Sequence, residues 1–158
     1  MKLLDFWKSN RQVPTVKTIT KQEIADMLQV HFQELQDTNG HRMEYAVQET
    51  LKDLGIPFIA NIKFIVNSET AEIDIYFPEC RTILEIKYWS PRVNLAETYW
   101  ITGQNWIFQK LFGELMKLPV PTKFVKTMNI DEASDFIYSL VSHELYTQKT
   151  SQGLPVSP

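Results

Sequence analysis

Two short segments that alternate between polar and apolar residues, separated by only four residues, constrain the fold most strongly. The first, 71–77, reads Ala-Glu-Ile-Asp-Ile-Tyr-Phe, and the second, 82–89, reads Thr-Ile-Leu-Glu-Ile-Lys-Tyr-Trp. Both are rich in the β-branched and aromatic residues that are typical of strands. The connection between them is short enough for a hairpin, so we predict two antiparallel strands.

The predicted hairpin brings charged residues together. If the chain turns at the bond between residues 79 and 80, Asp74 lies opposite Glu85 and Glu72 lies opposite Lys87. Side chains directly opposite each other are about 5 Å apart at Cβ. Strict alternation places both pairs on one face, together with the large apolar residues Tyr76, Ile83 and Trp89.

Two carboxylates at this distance repel each other unless a cation lies between them or one of them is protonated. Oxygen ligands on two strands suit Mg²⁺, which keeps several waters and leaves room for a substrate phosphate. A neighbouring lysine, Lys87, can stabilise developing negative charge or help to deprotonate a water. The alternative is a solvated face with an ordinary Glu72–Lys87 charge pair, although the large apolar neighbours favour a partly buried face.

Helical spacing upstream and downstream adds two polar candidates. A helix is predicted over 41–54, and its apolar stripe has Glu44 on its flank while Glu49 faces away. A long helix is predicted over 95–118, with Asn94 as its N-cap. Gln104 is the polar residue on the apolar stripe of that long helix, where its amide could hold a water or a phosphate oxygen.

The remaining segments complete an α/β order. Strands are predicted over 57–66 and 122–128, and further helices over 21–39 and 131–148. The order αβββαβα indicates a central mixed sheet of about four strands flanked by helices. We predict an accessory helical segment at 1–40, an α/β core at 41–150 and a flexible tail at 151–158, where two prolines and a glycine cluster.

The pattern of charged residues resembles a known family. A helix glutamate, Glu44, a strand aspartate, Asp74, and a Glu-x-Lys pair on the next strand, Glu85 and Lys87, are similar to the motif of the PD-(D/E)xK nuclease superfamily. That superfamily has a restriction-endonuclease-like fold. The resemblance spans about 40–140, and the residues from Gly40 to Glu44 are similar to the opening helix of Holliday-junction-resolvase-like members.

The resemblance implies a deoxyribonuclease, an endonuclease that depends on Mg²⁺ or Mn²⁺ and acts on DNA as a dimer. Asp74 and Glu85 would hold the metal, Lys87 would assist the attacking water or the transition state, and Glu44 would orient one of them. Gln104 would be auxiliary. The sequence departs from the motif where Ile73 replaces the proline, and it lacks the Gln-x-x-x-Tyr pattern of RecB-related members because Phe108 follows Gln104.

Composition limits the alternatives without deciding between them. The chain has 158 residues, a formal net charge of −3 and a single cysteine, which excludes an internal disulfide and a cysteine-based zinc site. We expect a cytoplasmic, non-membrane protein.

The segment after the Glu-x-Lys pair offers Trp89 and Arg92 as nucleic-acid contacts or as packing residues. A catalytically silent module of the same fold, and a subunit that needs a second protein, remain as alternatives.

Overall fold

The computed structural model describes residues 18–36, 41–88 and 92–151, and within 143–151 it describes the backbone alone. These residues form an α/β protein with a four-stranded mixed sheet, so the predicted class and element order are confirmed. The elements in chain order are α1 (Lys21–Glu34), α2 (Arg42–Asp53), β1 (Ile59–Val66), β2 (Glu69–Phe77), β3 (Thr82–Ile86), α3 (Leu95–Ile101), α4 (Asn105–Met116), β4 (Lys123–Thr127) and α5 (Ile130–Ser151).

The chain divides into two compact units, a helical unit at 1–56 and 129–158 and a sheet unit at 57–128. In the helical unit, α1 packs against both α2 and α5. His31 of α1 is buried, and its Nε2 lies 2.7 Å from Oδ2 of Asp53. The predicted domain boundaries stay predictions, and most of the predicted tail lies outside the described residues.

The sheet runs in the order β1-β2-β3-β4. The first three strands are antiparallel neighbours, and β4 joins β3 in parallel after the chain has passed through α3 and α4. In the hairpin, Ile75 pairs with Leu84 and Phe77 with Thr82. The register predicted from the length of the connection is therefore confirmed.

One face of the sheet and the two helices α3 and α4 enclose an apolar cluster. The sheet contributes Phe64, Tyr76 and Ile83, and α4 contributes Phe108 and Phe112. The aromatic rings make tilted and edge contacts, with 5.0 Å between the ring centroids of Tyr76 and Phe112. The predicted burial of Tyr76 and Ile83 is confirmed, since neither side chain is accessible to solvent.

The strict alternation predicted for β2 is wrong at one point. Ile73 and Tyr76 both belong to the apolar cluster, although an alternating strand would place them on opposite faces. The pairing of β1 with β2 is interrupted at one position: Ala60 pairs with Ile75 and Ile62 with Ile73, but Asn61 does not pair with Asp74 between them. Asn61 has a φ of 56°, a left-handed conformation that asparagine tolerates better than most residues. The local distortion falls at Asp74, so it sets the direction of that residue.

The single long helix predicted over 95–118 is also wrong, because the chain forms α3 and α4 with a break between them. Gly103 has a φ of 78°, and its amide donates a hydrogen bond to the carbonyl of Trp100. The amide of Gln104 donates to the carbonyl of Tyr99. These two bonds form a Schellman motif, which ends a helix.

Among the helices of the described residues, none is long and apolar enough to cross a membrane.

The break between α3 and α4 predicts an order of stability for substitutions at Gly103. Gly103→Ala should lower the free energy of unfolding by about 1–2 kcal/mol, because a Cβ is disfavoured in the left-handed region. Gly103→Asn should cost less, since asparagine adopts this conformation more readily. Urea unfolding of the three proteins measures the order, and an alanine variant as stable as the natural chain would contradict it.

Candidate active site

The site lies where β2 and β3 stop pairing. The last ladder pair is Ile75 with Leu84, and the next position in this register holds Asp74 opposite Glu85. Beyond the last pair, the two carboxylates bond to the backbone of the neighbouring strand. The amide of Asp74 donates to Oε1 of Glu85 over 3.1 Å, and the amide of Ile86 donates to Oδ2 of Asp74 over 2.8 Å. The acids thus hold the end of the hairpin together.

The side chain of Asn94 lies between the two strands at this point. Its Nδ2 donates to the carbonyl of Glu72 on β2 over 3.1 Å and to Oε2 of Glu85 on β3 over 2.7 Å. Its Oδ1 accepts a hydrogen bond from the amide of Glu97 and caps α3, as the sequence predicted. Asn94 therefore attaches the start of α3 to the carboxylate pair, a role that the capping pattern alone did not indicate.

Lys87 follows β3 directly and is 9% exposed. Its Nζ lies 3.5 Å from Oε2 of Glu97 and 3.8 Å from Oε2 of Glu85, and it donates to the carbonyl of Arg92. Lys87 is therefore held beside the carboxylate pair, as predicted. The alternative of an ion pair between Lys87 and Glu72 does not hold, because Glu97 supplies the opposite charge and Glu72 is exposed.

Two charged residues were not placed at the site from the sequence, although Lys126 is one of four lysines that it offers as phosphate contacts or as parts of a solvated face. Glu97 on α3 is 2% exposed, and its Oε1 lies 3.1 Å from Nζ of Lys126 on β4. Lys126 is also the register partner of Glu85. The only signal in the sequence was the position of Glu97 three residues after the N-cap, and its pairing with Lys126 depends on the parallel addition of β4.

Burial gives the two central acids unusual proton affinities. Burial, which is the larger cause, and the charge of Asp74 together raise the pKa of Glu85 to about 9. Burial likewise raises the pKa of Asp74 above its ordinary value, while the Ile86 amide and a hydrogen bond between the two side chains act in the opposite direction. The pair therefore favours holding a proton or a cation near neutral pH.

Four other residues were predicted to belong to the site, and the structure describes three of them. Glu44 is on α2 in the helical unit, with Oε2 3.2 Å from Nδ1 of His41 and 13% of its side chain exposed. Gln104 is exposed at the break between α3 and α4, at the opposite end of α3 from Asn94, so its predicted place on a buried stripe is wrong. Arg92 is exposed, with its carbonyl bound by Lys87. Trp89 lies outside the described residues.

The donor set fits a hard divalent cation that keeps most of its waters. Among the described residues, no cluster of three or more His, Cys, Asp and Glu side chains is arranged to hold a metal ion. Mg²⁺ is commonly bound through only one or two carboxylates, with water and substrate phosphate as its other ligands. Each oxygen of Asp74 and Glu85 has two lone pairs, and the hydrogen bonds described above use only part of them.

Comparison of the chain with protein-family models, with curated proteins and with solved structures gives no match. Any function assigned to this chain rests on the geometry of the residues around Asp74 and Glu85.

The buried acids predict that stability falls as the pH rises. Because the pKa of Glu85 is about 9 in the folded protein and its ordinary value is 4.5, the folded state keeps a proton that the unfolded chain releases. This stabilisation is complete below about pH 4.5 and is lost as the pH rises towards about 9. Over that range the free energy of unfolding falls by up to about 1.4 kcal/mol per pH unit. Urea unfolding in EDTA across this range should show the slope.

Glu85→Gln should flatten that slope, since the side chain keeps its shape but no longer titrates. Glu114→Gln is the matched control, because Glu114 is exposed on α4. A slope that is unchanged in Glu85→Gln would show that Glu85 is not the source of the pH dependence.

Proposed function

We propose that the protein is a divalent-metal-dependent deoxyribonuclease, an endonuclease of the PD-(D/E)xK type. The observation that carries the proposal is the placement of Asp74, Glu85 and Lys87 side by side at the point where β2 leaves β3. An acid pair at this depth lowers stability at neutral pH, and a binding role for a cation accounts for its presence. The matching order of helices and strands supports the proposal.

In this proposal, Mg²⁺ or Mn²⁺ held by Asp74 and Glu85 supplies Lewis-acid chemistry at the scissile phosphate. The residues of the chain do the remaining work. Asn94 orients Glu85 through its amide. Lys87, next to Glu85, stabilises the charge that develops on the phosphate or positions the attacking water. Arg92 is proposed to contact the nucleic-acid backbone, and the orienting role of Glu44 stays a prediction of the family resemblance.

DNA is the proposed substrate, and a homodimer is the proposed assembly. One set of Asp74, Glu85 and Lys87 cuts one strand at a time, so a double-strand break requires two copies of the site or two successive events. The assembly is measured by light scattering of the purified chain with and without DNA.

A nicking assay tests the proposed function directly. Supercoiled, branched and single-stranded DNA are offered in Mg²⁺, Mn²⁺ or EDTA to the natural chain and to Asp74→Ala and Lys87→Ala. We expect cleavage that requires metal and falls by about 10²-fold or more in both variants, because each removes a group that acts on the transition state. Glu69→Ala is the control, since Glu69 is exposed at the start of the same strand.

Each other result of the nicking assay has a definite meaning. Cleavage that survives both variants would overturn the assignment of the site. No cleavage of any substrate would overturn the nuclease proposal. Retained DNA binding would then favour a silent binding module, and cleavage that appears only with a second polypeptide would favour a subunit of a larger enzyme.

Glu44 has a natural matched control on its own helix. Glu49 carries the same charge on α2, with 42% of its side chain exposed and a surface ion pair to Lys52. Glu44→Gln should slow cleavage by about 10–100-fold, the usual effect of losing a group that orients a catalytic ligand. Glu49→Gln should leave the rate within about twofold, as is usual for surface positions. Equal rates in the two variants would remove Glu44 from the proposed mechanism.

A further inference from the structure

Glu97 joins two lysines that approach the site from different strands. Its Oε1 lies 3.1 Å from Nζ of Lys126 and its Oε2 lies 3.5 Å from Nζ of Lys87. Glu97 is 2% exposed, so its carboxylate has almost no contact with solvent. A charge buried to this extent is rarely found without a partner, and here both partners are ammonium groups.

The two lysines differ in their access to solvent. Lys87 is 9% exposed, whereas 43% of the Lys126 side chain is exposed. Lys126 stands next to Glu85 across the β3–β4 pairing, and on β4 it alternates in phase with Phe124, which packs against the apolar cluster. Lys126 is therefore partly exposed at the strand position next to Glu85, and the buried carboxylate of Glu97 holds its ammonium group.

The remaining hydrogen-bonding capacity of Glu97 shows that its contact with Lys87 is loose. Within the described part of the chain, Oε2 of Glu97 accepts no hydrogen bond, while Lys87 donates to the carbonyl of Arg92. A buried acceptor without a donor is costly, so Glu97 attracts the ammonium group of Lys87. It thereby limits the approach of Lys87 to Glu85.

We propose that Glu97 is a positioning residue that sets Lys87 and Lys126 against two neighbouring phosphates of the bound strand. Lys87 faces the phosphate that is cut, and Lys126 binds an adjacent phosphate and so contributes to affinity rather than to the chemical step. This inference rests on the proposed nuclease function for Lys87. The role of Lys126 as a phosphate contact can be measured without cleavage.

The first test measures DNA binding in EDTA as a function of salt concentration, by fluorescence anisotropy of labelled duplex and single-stranded DNA. Each phosphate contact contributes about 0.9 to the slope of log affinity against log salt for duplex DNA, and about 0.7 for a single strand. Lys126→Met should lower the slope by about that amount, and Lys126→Arg should keep it. Lys123→Met is the matched control, because Lys123 is exposed on the same strand.

The second test separates positioning from binding in the cleavage reaction. Lys126→Met should raise KM by a larger factor than it lowers kcat, whereas Glu97→Gln should lower kcat by about 10-fold or more at saturating DNA, since outer groups that orient catalytic residues have effects of about 10–100-fold. Circular dichroism and urea unfolding verify that both variants fold. A folded Glu97→Gln with natural kcat would overturn the positioning role while leaving the nuclease proposal intact.

The two proposals fail in different ways. If the natural chain cuts no DNA, the nuclease proposal fails, and the salt slope of Lys126→Met still decides whether Lys126 binds phosphate. An unchanged slope in Lys126→Met, or a natural chain that binds no DNA at low salt, would overturn the phosphate-contact inference.

Discussion

The site depends on the place where the hairpin ladder ends and the side chains of Asp74 and Glu85 take over its hydrogen bonds. Each carboxylate accepts a backbone amide from the other strand, so the two acids are fixed by the backbone rather than by flexible contacts. Asn94 then ties Glu85 to the start of α3. The same bonds that complete the sheet therefore orient the chemical groups, which keeps the geometry of the acids rigid.

In the proposed function, this arrangement would lower the stability of the chain in order to provide a binding site for a cation. Glu85 is 1% exposed and faces another acid, so its charged form is disfavoured. A bound proton removes the charge, and a nearby cation stabilises it. Apolar residues at the same two positions would remove this penalty, yet they would also remove the carboxylate oxygens that are proposed to hold a cation. Proteins commonly accept such local destabilisation at functional sites, because binding of the ligand restores the lost free energy.

The sequence was informative where the structure depends on neighbours along the chain. The length of the connection and the alternation of Ile75 and Phe77 were sufficient to predict the hairpin register. The ion pair of Glu97 with Lys126 could not be predicted, because it arises only when β4 pairs with β3. The helix break at Gly103 carried a readable signal, but the apolar spacing continued across it. The conformation of Asn61 left no signal in the pattern of residues.

The parallel pairing of β4 with β3 has a consequence for the order of folding. The hairpin brings Asp74 and Glu85 together across 11 residues, and short loops close quickly. Lys126 reaches the acids through the non-local pairing of β4 with β3, and such pairings form slowly. In the interval the hairpin holds two facing acids without that cation. Folding is therefore expected to be slower in alkaline solution, where both acids are charged and Lys87 is the cation that the hairpin itself brings to them.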